Sequence, residues 1–293
     1  MADQRRVGIV GLGLIGGSLG LDLQALGWQV QGLVHREVTA GRALVRGLAQ
    51  QVSTDPACLV DCDLVILALP MARLLEPDPA LLKALPSSAV VTDVGSVKAP
   101  VLDLWRTLHP RFVASHPMAG TAQAGVEAGQ TGLFRGRPWI ATPDRQTDPD
   151  ALRLIQELAE ALGSVWAVAT APQHDQAVAM ISHVPVLVSA ALLRAAGDER
   201  DPEIRQLAMT LASSGFADTS RVGGGNPDLG VAMASGNRDA VLRGLAAYRW
   251  SLEQLEDAVM QQNWDQLSLE LSRTQNLRPA FLSSADQPGG EPG

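Results

Sequence analysis

Two hydrophobic rhythms run along this chain, and one gives way to the other near residue 170. In the first part, short apolar runs alternate with helical patterns, the order that builds a parallel sheet covered by helices. Residues 6–10 form the first run. It passes through a cluster of glycines into Ile15, Leu19, Leu23 and Leu26, which recur at helix spacing until Gly27 stops them. Residues 28–34 read as a second strand, 40–48 as a helix, and 63–69 as the fourth strand candidate, apolar almost throughout and closed by Pro70. A helical segment reaches about Leu85. A strand at 89–93, a helix opened by Pro100 and a strand at 111–115 follow. A strand near 138–142, a helix over 150–162 and a last strand near 164–169 complete this part. Beyond Pro172 only helical periodicity remains, over 172–196, 202–213, 226–236, 238–262 and 264–276. The predicted organisation is an α/β domain at 1–169 and an all-helical domain at 170–282. The tail at 283–293, rich in Pro, Gly and acids, is expected to be disordered.

The first strand-to-helix turn reads Gly11-Leu12-Gly13-Leu14-Ile15-Gly16. In a strand–turn–helix context this spacing points to dinucleotide binding. Gly11 permits the tight turn, Gly13 lets a pyrophosphate approach the backbone, and Gly16 lets the helix lie close to the strand. The helix N-terminus, at Leu14 and Ile15, supplies free N–H groups and partial positive charge. The end of the fourth strand candidate, Ala68, Leu69 and Pro70, is expected to border the cofactor, since ligands sit beyond the carboxyl ends of such strands. At the tip of the second strand an acid would favour NAD; here the chain reads Val34-His35-Arg36. Arg36, with His35 beside it, is expected to attract a 2′-phosphate, so NADP is the predicted cofactor and NAD the alternative. The competing reading makes both solvated loop residues, and Glu37 opposes the NADP argument.

Composition narrows the partners. A formal net charge of -8 argues against general nucleic-acid or anionic-membrane binding. The 293 residues are 46% hydrophobic, enough for two globular domains, and no uncharged apolar stretch is read as long enough to span a bilayer. Cys58 and Cys62 have no histidine nearby, so buried reduced thiols are expected, with no metal and a cytoplasmic location.

Lys83 and Lys98 are the only lysines, which draws attention to the segment Asp93-Val94-Gly95-Ser96-Val97-Lys98 after a strand. Ser96 suits either a helix N-cap or a hydrogen bond to substrate or nicotinamide. Lys98 is either a helix-surface residue or local positive charge for an anionic substrate. Of the five histidines, His109 is read in a surface turn, His35 at the ribose, and His174 as solvated at a helix start. His116 and His183 remain, and His116 is expected to end a strand on the cofactor side.

Five motifs carry a resemblance: Gly11 to Ser18, Asp93 to Lys98, His116-Pro117-Met118-Ala119-Gly120, Ser182-His183-Val184-Pro185, and Gly215-Phe216-Ala217-Asp218-Thr219-Ser220-Arg221. In this order the chain resembles the prephenate and arogenate dehydrogenases of tyrosine biosynthesis over about residues 5–282. The resemblance implies a Rossmann-like domain and a helical domain that forms a homodimer. It implies His116 as the base for the C4 hydroxyl of a cyclohexadienyl substrate and Ser96 beside that hydroxyl. Arg221 would bind a substrate carboxylate and His183 would line the pocket. The chain departs from the family at Val186, where many members have a second histidine, which favours arogenate. It departs again at Asn226-Pro227-Asp228-Leu229-Gly230, which lacks a tryptophan. The expected form is the short, single-activity one.

The implied reaction is oxidative decarboxylation with hydride transfer to NADP. Alternatives are a prephenate-specific, NAD-dependent enzyme, a related dehydrogenase using Lys98 as acid or base, and a non-catalytic NADP-binding regulator.

Overall fold

The computed structural model of the protein describes residues 5–121 and 123–282, so the tail expected at 283–293 lies outside the described residues. The strands are β1 (Arg6–Val10), β2 (Gln29–Leu33), β3 (Gln51–Ser53), β4 (Leu64–Leu67), β5 (Val90–Asp93), β6 (Phe112–Val113), β7 (Ser115–Pro117), β8 (Pro138–Ala141) and β9 (Val165–Val168). The helices are α1 (Leu14–Ala25), α2 (Glu37–Val45), α3 (Met71–Leu75), α4 (Pro79–Ala84), α5 (Ala99–Leu108), α6 (Pro149–Ala161), α7 (Ala171–Val178), α8 (Val184–Gly197), α9 (Pro202–Leu211), α10 (Ser214–Ser220), α11 (Pro227–Gly236), α12 (Arg238–Met260) and α13 (Trp264–Phe281).

The main sheet is parallel, in the order β3-β2-β1-β4-β5-β6. Strand order reverses between β1 and β4, and that switch point opens the crevice where ligands bind in such sheets. Every residue of β4 is buried, as its uninterrupted apolar sequence requires. Leu64 and Ile66 join a core with Leu19 and Leu23 of α1 on one face. Val65 and Leu67 join Trp105 and Phe112 on the other.

The strand expected at 111–115 is two strands. Phe112 and Val113 pair with β5, whereas Ser115, His116 and Pro117 pair antiparallel with β8 in a separate sheet of order β7-β8-β9. The break falls at Ala114, whose carbonyl accepts the Thr142 N–H at 2.9 Å and starts the second sheet. His116 therefore sits within a strand, opposite Ile140, and not at the end of one. The short polar β3 and α10 left no periodic signature to read.

α7, a π-helical turn at Ala179–His183, and α8 form one continuous helix, Ala171–Gly197. Pro185 explains the wide turn, because it has no N–H for the preceding turn and its ring crowds it. By length and composition alone this helix is apolar enough to cross a membrane. Its His174, Asp175 and His183 are nevertheless buried in the protein. The chain forms two compact units, residues 1–241 and 242–293. In the second, described to Leu282, α13 has no buried residue, and Trp264 and Phe281 are exposed. Cys58 and Cys62 are free, and burial pushes the Cys62 thiol up to about 11, an unreactive setting.

Candidate active site

The glycine turn has the shape its sequence predicts. Gly11 has φ +93°, and a Cβ there would strike the Ala68 carbonyl oxygen. A Cβ on Gly16 would strike the Gly11 carbonyl oxygen. At Gly13, by contrast, a Cβ would meet no atom within 4 Å, so protein packing does not demand this glycine. Open space of this kind beside the N-terminus of α1 suits a phosphate. No side chain caps that helix and its first turn carries no acid. The amide of Ala68 donates to the Val10 carbonyl at 2.8 Å, which seats half-buried Ala68 and Leu69 and exposed Pro70 at the crevice mouth. His35 and Arg36 are exposed past the end of β2, while Glu37 accepts a hydrogen bond from Thr54.

Ser115 anchors the strand that carries His116. Its Oγ donates to the Asp93 carbonyl at 3.0 Å and accepts from Trp139 Nε1 at 3.0 Å. Its carbonyl accepts from Lys98 Nζ at 2.8 Å. Lys98 is neither a surface residue nor presented to a cleft. It is fully buried and ion-paired with Asp93, whose carboxylate also accepts the amides of Gly95 at 2.8 Å and Ser115 at 3.2 Å. Burial pulls the Lys98 ammonium below its ordinary value, and the Asp93 charge opposes that shift. Ser96 is half-buried and does not cap α5.

The cap comes from a different element. Asp175 of α7 accepts the Lys98 amide at 2.7 Å and the Ala99 amide at 2.8 Å, satisfying the first turn of α5. The same carboxylate lies 2.8 Å from His174 Nδ1, and His174 Nε2 lies 3.0 Å from His116 Nδ1. His174 is thus buried at the centre of the site, against its reading as solvated. No periodicity signals this, since the contact joins residues 58 positions apart. His109 is buried as well, with Nε2 3.1 Å from the Pro86 carbonyl, and has a structural place away from the surface. Burial, then the charge of Lys98 and the neighbouring His174 and His183, holds His116 well below the ordinary histidine value. A neutral imidazole at physiological pH is the form that accepts a proton.

His183 ends the π turn. Asn237 Nδ2 donates to the Asp175 carbonyl at 2.7 Å and lies 3.3 Å from His183 Nδ1. Among the described residues, His183 Nε2 is buried without a hydrogen-bond partner, an exception among buried polar atoms. Arg221 caps α10, is exposed, and has no ion pair with Asp218 or Asp228. Its turn is clamped by Ser189, whose Oγ donates to the Thr219 carbonyl and accepts the Gly223 amide, both at 2.9 Å. Among the described residues no group of three or more His, Cys, Asp or Glu is placed to hold a metal.

The family model for the nucleotide-binding domain of prephenate dehydrogenase matches residues 19–168, and that for its dimerization domain matches residues 170–273. The chain belongs to the prephenate dehydrogenase family. A cyclohexadienyl dehydrogenase of Zymomonas mobilis is 30% identical over 96% of this chain and 98% of its own. The structure of Synechocystis arogenate dehydrogenase is 40% identical with a TM-score of 0.83, covering 94% of this chain and 100% of that one. Prephenate dehydrogenase of Aquifex aeolicus, solved with hydroxyphenyl propionate and NAD+, is 28% identical with a TM-score of 0.88, covering 95% and 98%. The chain is accordingly a dehydrogenase of this family, with a Rossmann-like domain and a mostly helical dimerisation domain.

Proposed function

We infer that the protein oxidatively decarboxylates arogenate to tyrosine with NADP, and that His116 is its general base. The observation that carries this reading is His116 itself: buried, held neutral, and fixed in β7 by the contacts of Ser115. Bound at the glycine turn of Gly11, Gly13 and Gly16 and the amides of Leu14 and Ile15, the dinucleotide supplies the hydride acceptor. His116 takes the proton from the C4 hydroxyl as the C4 carbon is oxidised. The ring carboxylate then leaves C1 as carbon dioxide, its bonding pair moves through the ring onto the C4 oxygen, and that oxygen takes the proton back from His116 to give the aromatic phenol. A positioned base contributes roughly 100- to 10,000-fold.

Ser96 is assigned to the hydroxyl side of the substrate and His183, through its unpartnered Nε2, to the pocket wall. Among the described residues Arg221 has no acidic partner, and it is assigned to a carboxylate, where charge-assisted hydrogen bonds contribute about 1.5–3 kcal/mol each. Lys98 contributes charge from beneath and does not touch the substrate. Arg36 supports NADP, since its nearest acid, Glu37, is engaged by Thr54. Val186, where other members have a histidine, supports arogenate, as does the likeness to the Synechocystis enzyme. Exposed Met209, Leu211, Trp264 and Phe281 in the helical region suit a homodimer.

Initial rates with arogenate and prephenate, each with NADP and NAD, test the specificity. Highest efficiency with arogenate and NADP is expected. Turnover only with prephenate and NAD overturns both assignments and leaves the His116 chemistry standing.

A further inference from the structure

Asp175, His174 and His116 form an unbroken buried chain whose proton positions follow from the acceptor at its far end. Asp175 takes two backbone amides of α5 as a carboxylate, which has only acceptors to offer. His174 Nδ1, 2.8 Å from it, must therefore carry the proton. Where His174 is uncharged, a proton on Nδ1 leaves Nε2 bare, whereas an imidazolium would donate from Nε2 and reverse the chain. That bare nitrogen faces His116 Nδ1 at 3.0 Å, and two bare nitrogens at this distance make no hydrogen bond. The His116 proton consequently sits on Nδ1, which leaves Nε2 as the free lone pair.

We propose that Asp175 and His174 are positioning residues that hold His116 in the Nδ1–H tautomer, so that Nε2 is the nitrogen that accepts the substrate proton. The proposal rests on His116 being the base. It adds which nitrogen acts and what decides it. The selection is geometric as well as electronic. Asp175 is bolted to the N-terminus of α5, the helix that follows Ser96, so the chain ties the imidazole to the same loop that is assigned to the substrate hydroxyl. The two rings meet edge to face, with centroids 5.2 Å apart and planes at 69°, which limits rotation of His116. Among the described residues, the groups that act on His116 are His174, His183 and Lys98, and those that act on His174 are Asp175, His116 and His183. Of these, Asp175 is the acceptor that starts the alternation.

The test is the nitrogen spectrum of the full-length protein labelled with 15N-histidine, with His116 assigned by its loss in His116→Asn. The expected result at neutral pH is a protonated Nδ1 and a bare Nε2 on His116. A proton on Nε2 in the wild-type protein overturns the proposal without any variant being needed. In His174→Phe, which cannot accept from His116, the single tautomer is expected to be lost. There kcat should fall by about tenfold to a hundredfold with KM and NADP binding within about threefold. His174→Gln places an amide oxygen near the lost acceptor and should restore most of kcat. A kcat for His174→Phe within twofold of wild type overturns the positioning role. Full activity in His116→Asn would instead sink the assignment of the base, whatever the spectrum shows.

Discussion

Lys98 and Asp93 form an ion pair with no exposed side-chain surface, and Lys98 Nζ ties that pair to the carbonyl of Ser115, the residue before His116. A cation placed there holds the strand that carries His116 and keeps a second positive charge off the imidazole. Replacing one partner leaves the other charged and buried, at a cost of about 3–5 kcal/mol. Lys98→Met should therefore lower stability by that amount in urea unfolding, and Asp93→Asn with Lys98→Met should recover a large part of it. Equal losses in the single and double variants would show that the pair is not coupled.

Gly13 and Gly16, the second and third glycines of the turn, are separable by their surroundings. Gly13→Ala should leave the unfolding midpoint unchanged, since its Cβ meets no protein atom, yet raise the KM for the dinucleotide at least tenfold. Gly16→Ala drives a Cβ into the Gly11 carbonyl and should cost about 1–3 kcal/mol of stability before any ligand is added. Thermal melts with and without dinucleotide distinguish the two.

Acid should destabilise the protein through its histidines. His109, His116 and His183 are all lowered from the ordinary value of 6.5, chiefly by burial. Above that value these rings are neutral folded and unfolded, and they add no pH dependence. As the pH falls below about 6.5 the unfolded chain binds protons that the folded chain does not, and stability drops. Unfolding free energies measured from pH 8 to pH 5 should decline in the lower half of that range. Replacing His109 by Gln should flatten the decline, and a profile that rises towards pH 5 would contradict the burial argument.

The sheet was legible because its order is local. An apolar β4 bounded by Pro70, and three glycines between β1 and α1, determine strand and turn without reference to distant residues. The site was half legible. His116, Ser96 and Arg221 stand in motifs, whereas His174 was read as solvated because nothing beside it in sequence hints at a ring 58 positions away. Asp175 was missed for the same reason: it caps a helix whose first turn lies 76 positions earlier. Lys98 was misplaced because a lysine is ordinarily a surface residue, and the acid that permits its burial, Asp93, is five positions back at the end of β5. The long apolar helix Ala171–Gly197 buries only four polar residues, His174, Asp175, His183 and Ser189, too few to break the hydropathic run.

Whether His116 accepts the substrate proton is read from the rate of NADPH formation from arogenate by His116→Asn. Turnover should fall roughly 100- to 10,000-fold while the Kd for NADP, measured separately, stays within about threefold of wild type. A variant that retains turnover within a few-fold, or a wild-type protein that turns over neither arogenate nor prephenate, would contradict the account.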